Sequence, residues 1–154
     1  MNNNKFKGKN VLITGHTGFK GSWLTAWLKM LGANVTGLSL NIPTTPSHFE
    51  CLNISKSITD IRIDIRNQSD LEDTIRLAKP DFLFHLAAQS LVIDSYADPI
   101  GTWNTNLIGT VNILESLRKI NEKCSVVIIT SDKCYDNVEW TWGYRENDKL
   151  GGVD

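Results

Sequence analysis

Val11-Leu12-Ile13-Thr14-Gly15-His16-Thr17-Gly18-Phe19-Lys20-Gly21-Ser22-Trp23-Leu24 decides the fold. It reads as a short buried strand, a glycine turn and the start of a helix. The glycines at 15, 18 and 21 follow a G-x-x-G-x-x-G spacing. A strand that turns straight into a helix needs positive φ or a missing Cβ at the turn. A backbone lying against a pyrophosphate needs the same freedom, and a helix N-terminus offers that anion its N–H groups and its positive dipole end. The turn Gly15, His16, Thr17, Gly18, Phe19, Lys20 and Gly21 is therefore a candidate phosphate cradle. The competing reading is a tight strand–helix turn with no ligand.

Outward from that stretch the chain alternates strand and helix patterns. The first strand is read at Lys9–Thr14, and the helix from Gly18 to Leu31 with Trp23, Leu24, Trp27, Leu28 and Leu31 on one stripe. Gly32 stops it. A second strand is read at Asn34–Leu40, a loop at Asn41–Ser47, a short helix at Phe49–Ser55 and a third strand at Ser57–Ile65. Ser69 with Glu72 reads as a capping box for a helix running to Lys79, with Pro80 ending it. Asp81–Ala87 is a fourth strand and Gln89–Ala97 a loop. Pro99 opens a long helix to Ile120, with Trp103, Leu107, Thr110, Leu114 and Leu117 facing inward. Ser125–Thr130 is a fifth strand, and residues 131–154 show no clear element. The pattern implies an α/β fold, a doubly wound parallel sheet of order 3-2-1-4-5 with right-handed crossovers. Ligands then sit at the carboxyl ends of the strands, at the switch between strands 1 and 4.

The chain has 154 residues and a formal charge of −1, which gives no electrostatic case for nucleic acid or an anionic membrane. Residues 1–49 nevertheless carry five lysines and no Asp or Glu, which suits a phosphate-bearing ligand or arises by chance. Cys51, Cys124 and Cys134 have neither disulfide nor zinc spacing, so no metal is expected. No apolar run approaches the roughly 20 residues of a membrane helix. The Met1-Asn2-Asn3-Asn4-Lys5 start lacks a secretory signal's apolar region, so a cytoplasmic protein is expected.

Other strand ends carry suggestive residues. Asp64 and Ile65 follow strand 3 and could meet an adenine, although turn capping explains Asp64 as well. Leu86, Ala87, Ala88 and Gln89 follow strand 4 and are small enough to admit a cofactor. Thr130, Ser131, Asp132 and Lys133 follow strand 5 and gather a hydroxyl, a carboxylic acid and an amine. One expected feature is absent: Val35–Asn41 has no acid to hold a ribose 2′-hydroxyl.

Four segments resemble the extended short-chain dehydrogenase/reductases, and within them the CDP-glucose 4,6-dehydratase subfamily. They are Gly15–Leu24, His85–Val92, Thr130–Tyr135 and Glu139–Glu146. The resemblance implies a Rossmann-like NAD-binding domain over 1–154. It also implies a cytoplasmic homo-oligomer that acts on CDP-glucose in lipopolysaccharide O-antigen biosynthesis. The reaction implied is an internal redox dehydration: the hydride leaves sugar C4, water leaves across C5–C6, and the hydride returns to C6. In it Ser131 would hydrogen-bond near O4, Asp132 would protonate the C6 hydroxyl, and Lys133 would act as the C5 base or stabilise the enolate. A free lysine titrates near about 10.4, so the base role needs a depressed pKa. The family's Tyr-x-x-x-Lys pair does not occur in this chain. An incomplete domain, inactive alone, is therefore expected, with Tyr135, Trp140, Trp142 and Tyr144 meant to pack against missing parts. Two alternatives remain open: another sugar-nucleotide epimerase or dehydratase, and a non-catalytic NAD-binding module.

Overall fold

The computed structural model describes residues 4–120 and 122–152. The Asn-rich start at Met1–Asn3 and the Val153–Asp154 end lie outside them. Five strands form one parallel sheet: β1 (Asn10–Thr14), β2 (Asn34–Ser39), β3 (Thr59–Arg62), β4 (Phe82–His85) and β5 (Ser125–Ile128), in the order β3-β2-β1-β4-β5. This is the expected order. β1 lies between β2 and β4, with Thr14 opposite Leu38 on one side and His85 on the other.

Successive side chains of a strand face opposite sides, so a strand covered on both faces is apolar throughout. β1 shows this. Val11 and Ile13 pack with Leu28, Ala33 and Val35 beneath α1 (Phe19–Met30), whereas Leu12 packs on the other face with Leu38, Leu71, Ile75, Leu83 and Ile113. That second layer is built from α3 (Gln68–Ala78) and α6 (Gly109–Lys119). A short α2 (His48–Cys51) and a 3-10 turn at Ile54–Ser57 occupy the β2–β3 connection, where a single helix was expected.

Several expectations are corrected. The inward face of α1 is Gly21, Ser22, Thr25 and Leu28, while Trp23 and Trp27 are 56% and 60% exposed. Small residues win that face because they let the helix lie close to the sheet. The α3 cap is Asn67, not Ser69. Its side chain accepts from the Asp70 amide, two residues ahead of the expected box, and Lys79 closes the helix in the left-handed conformation. Gln89–Ala97 is not wholly loop, because α4 forms at Val92–Ala97. The long helix is interrupted: α5 (Pro99–Trp103) runs through a π-helical turn at Asn104–Ile108 into α6. The inward residues of α6 are Gly109, Asn112, Ile113 and Ser116; Trp103, Leu107 and Leu114 face out, and Leu117 is partly buried against the core. Beyond β5, a 3-10 turn forms at Asp132–Cys134 and Tyr135 pairs with Leu150.

Candidate cofactor and active site

The glycine turn leaves β1 at the middle of the sheet. Gly15 has φ +73°, and a Cβ there would stand 2.7 Å from the Ala87 amide nitrogen. A Cβ at Gly21 would overlap the Gly15 carbonyl oxygen, whereas one at Gly18 would meet that oxygen at 3.4 Å. Gly15 and Gly21 thus let the turn nest against the β4 exit and bring α1 close behind it. Gly18 is the glycine that leaves room above the turn. The first-turn amides of α1 open into the same space, as helix geometry requires, and exposed Phe19 and Lys20 flank it.

The turn is braced from β2 and β3. His16 is fully buried and bridges Ser39 (Nδ1 to Oγ, 2.9 Å) and Asp60 (Nε2 to Oδ1, 3.0 Å). Asp60 also takes Arg62 at 2.8 Å. Asp60, opposite Gly37 of β2, is therefore an acid supplied by β3 and committed to a histidine and an arginine. Thr17 Oγ1 donates to the Asn41 carbonyl at 2.6 Å, tying the turn to the loop after β2.

The β4 exit is held by Thr14, His85, Thr110 and Asn106, to which the sequence reading gave no role in the site. Thr14 Oγ1 accepts from the Leu86 and Ala87 amides, each at 3.1 Å, and bonds His85 Nδ1 at 2.6 Å. The other His85 nitrogen, Nε2, meets Thr110 Oγ1 at 3.0 Å, and Thr110 donates to the Asn106 carbonyl. Asn106 grips Gln89 twice, accepting its amide and donating to its carbonyl, each at 2.8 Å. Asn106 sits in the π-helical turn, an irregularity that often marks a functional position. Apart from Thr110 and Asn106, which lie four residues apart on one helix, these partners are 17 to 73 residues apart in sequence, so no local signal announces them.

Burial lowers the pKa of both His16 and His85 from the ordinary 6.5, against a partial upward pull from Asp60 on His16. A group whose folded pKa is depressed binds more protons when unfolded, so its stabilisation is complete above the unfolded pKa and is lost as pH falls below it. Stability is expected to drop below about pH 6.5, by up to about 1.4 kcal/mol per pH unit for each ring. Thermal midpoints at pH 7.5 and 5.5 measure this, and a His85→Asn variant should show a shallower slope.

At the β3 end, Asp64 is clamped by Arg66, and Asn112 Nδ2 donates to the Ile65 and Arg66 carbonyls at 3.1 and 3.2 Å. Ile65 is 5% exposed and its side chain lies in the core. At the β5 end Thr130, Ser131, Asp132 and Lys133 are all exposed. Ser131 Oγ accepts the Lys133 amide at 3.2 Å and donates to Asp132 Oδ1 at 3.3 Å. β5 neighbours β4, so this cluster stands beside the Leu86–Gln89 exit. Tyr144 stacks on Tyr135 at 5.0 Å, and Trp142 remains 69% exposed. Among the described residues no group of His, Cys, Asp and Glu could hold a metal, and no helix is long and apolar enough to cross a membrane.

Comparison with known proteins finds relatives over most of the chain. The chain is 49% identical to CDP-glucose 4,6-dehydratase of Salmonella typhimurium over its whole length, covering 43% of that protein. It is 31% identical to CDP-paratose 2-epimerase of Salmonella typhi, covering 94% of this chain and 45% of the relative. A crystal structure of Thermus thermophilus UDP-glucose 4-epimerase in complex with NAD superposes with a TM-score of 0.79 at 30% identity, over 92% of this chain and 44% of that one. The chain thus spans less than half the length of these relatives. The family model for GDP-mannose 4,6 dehydratase matches residues 12–152. That match spans most of the chain, and the chain belongs to the GDP-mannose 4,6 dehydratase family.

Proposed function

We propose that this chain forms the cofactor-binding domain of an NAD-dependent CDP-glucose 4,6-dehydratase. The carrying observation is the glycine turn pressed against the Ala87 amide at the sheet's switch point, with space above Gly18 and Ser131-Asp132-Lys133 beside it. The similarity to the Salmonella dehydratase supports the substrate. Gly15 to Gly21 would hold the pyrophosphate, Asp64 and Ile65 would lie at the adenosine end, and Leu86 to Gln89 with Thr130 would line the path to the nicotinamide. Bound there, NAD would supply a hydride acceptor that returns the hydride later in the same turnover. Ser131 hydrogen-bonds the sugar near O4. Once C4 is a ketone, the C5 proton is acidic. Lys133 stands beside that carbon as base or as a positive charge for the enolate, and Asp132 protonates the departing C6 hydroxyl.

Calorimetry on the full chain tests the cofactor reading. Saturable one-to-one binding of NAD is expected; a folded chain that gives no heat with NAD would contradict it.

The same proposal places the protein in the cytoplasm, in lipopolysaccharide O-antigen synthesis, as a homo-oligomer. Exposed apolar residues on α4, α5 and the π-helical turn support self-association: Ile93, Tyr96, Ile100 and Trp103 are 65–77% exposed, and Leu107 is 47% exposed. Clustered exposed apolar residues mark interaction surfaces more often than they occur on lone monomers. Trp103→Glu is expected to shift the sedimentation mass to that of a monomer, and an unchanged mass would rule out this face.

A further inference from the structure

We infer that the outer face of α1 docks on an anionic lipid bilayer, lying along its headgroups with the indole rings inserted, whether or not the glycine turn holds a dinucleotide. Phe19, Trp23, Trp27 and Met30 are 70, 56, 60 and 85% exposed. At 3.6 residues per turn these four positions fall within about 80° of arc and along about 17 Å of helix. That arc lies opposite Thr25 and Leu28, which are buried against the sheet side. α1 thus has two faces: one of small residues that packs, and an aromatic one open to solvent. Trp23 is fixed there, because its ring stacks on His48 at 4.4 Å and His48 Nδ1 bonds Ser22 Oγ at 2.7 Å.

The charge around this face has one sign. Lys20 and Lys29 belong to α1 itself. Lys7 lies at its end, where a Cβ on Gly32 would meet the Lys7 side chain at 3.5 Å. Lys5 shares that segment, which Asn4 ties to the Leu31 carbonyl at 2.6 Å. Residues 1–49 hold no Asp or Glu. Glu50, the first acid after them, accepts Ser47 Oγ at 2.8 Å at the cap of α2. The whole-chain charge of −1 is therefore no guide to this face. The sign selects the partner. A second copy docked face to face would set lysines against lysines across a two-fold axis, with no acid of 1–49 to offset them. An anionic bilayer meets both features at once. Its plane reaches all four apolar side chains, tryptophan rings rest at headgroup level, and lysine heads reach the phosphates.

Flotation of the full chain with vesicles rich in phosphatidylglycerol, and with vesicles of phosphatidylcholine alone, tests this. Partition onto the anionic vesicles should be about tenfold stronger or more, and should fall by about tenfold when salt rises from about 0.05 to 0.5 M. Tryptophan fluorescence should shift to the blue on binding. Trp27→Gln combined with Met30→Gln should remove binding with the urea midpoint unchanged, since both side chains are exposed. Lys7→Glu combined with Lys29→Glu should weaken it by about tenfold, and serves if the first pair folds poorly. Trp103→Glu, on the other exposed apolar cluster, should leave vesicle binding intact. No partition, equal partition onto both kinds of vesicle, or loss of binding in Trp103→Glu and not in the α1 pair overturns the inference. A sedimentation mass above that of the monomer, without vesicles, that the α1 pair alone restores to the monomer would assign the face to a second copy and overturn it as well.

Discussion

Gly21→Ala is expected to destabilise the chain by about 3 kcal/mol and to abolish dinucleotide binding. The reason is local and steric. The added Cβ would overlap the Gly15 carbonyl oxygen, and both partners are backbone. Gly15 cannot yield, because its own Cβ position faces the Ala87 amide at 2.7 Å and its φ of +73° is one that other residues adopt only at a cost. α1 must therefore back away from the turn, which also strips Ser22, Thr25 and Leu28 of their close packing. Gly18→Ala is the informative companion. Its φ is −68° and its nearest contact would be 3.4 Å, so stability should stay within about 0.5 kcal/mol of the parent. NAD affinity should still fall by about tenfold or more, because the methyl enters the space proposed for the pyrophosphate. Urea midpoints and calorimetry on the two variants separate folding from binding at one turn. Equal stability of the two would refute the steric account.

Asp132→Asn in the full-length protein is expected to lower turnover of CDP-glucose by about 10² to 10⁴-fold, the range for losing a general acid. NAD affinity should stay within about threefold. Asp132 lies in the 3-10 turn that follows β5, exposed, with Ser131 Oγ donating to its Oδ1 at 3.3 Å. It can thus reach a sugar without unfolding anything. An amide cannot protonate the C6 hydroxyl, so oxidation at C4 should persist while loss of water stalls, and a 4-keto hexose still carrying its C6 hydroxyl should accumulate. Ser131→Ala also frees Lys133 from the turn that Ser131 caps, and it should impair both steps together. Full activity in Asp132→Asn would remove Asp132 from the mechanism.

Most of the architecture was legible because it is written locally. A β-branched run, a glycine turn and alternating strand and helix patterns fix a parallel sheet, and handedness leaves few orders to choose from. Helix faces were harder. The stripe containing Trp23 and Trp27 is apolar at helical spacing, yet small residues take the inner face because the sheet is close. The π-helical turn at Asn104–Ile108 changes the phase between α5 and α6, which periodicity alone does not foresee. Within the site, the turn and the β5 cluster announced themselves as types of residue at strand ends. The bracing did not: His16 with Asp60, Thr14 with Ala87, and Asn106 with Gln89 are pairings made by the fold between distant segments. His16 read as one residue of a motif, whereas its ring is the buried post that ties the turn to β2 and β3.

The central claim, an internal redox dehydration run on this domain, has one most direct test. CDP-glucose deuterated at C4 is supplied to the full-length protein with NAD, and the product is read by mass spectrometry and NMR. The account predicts a 4-keto-6-deoxy sugar nucleotide lighter by one water, with the deuterium moved from C4 to C6. A product of unchanged mass inverted at one carbon, or a dehydrated product whose deuterium has exchanged into solvent, would contradict it.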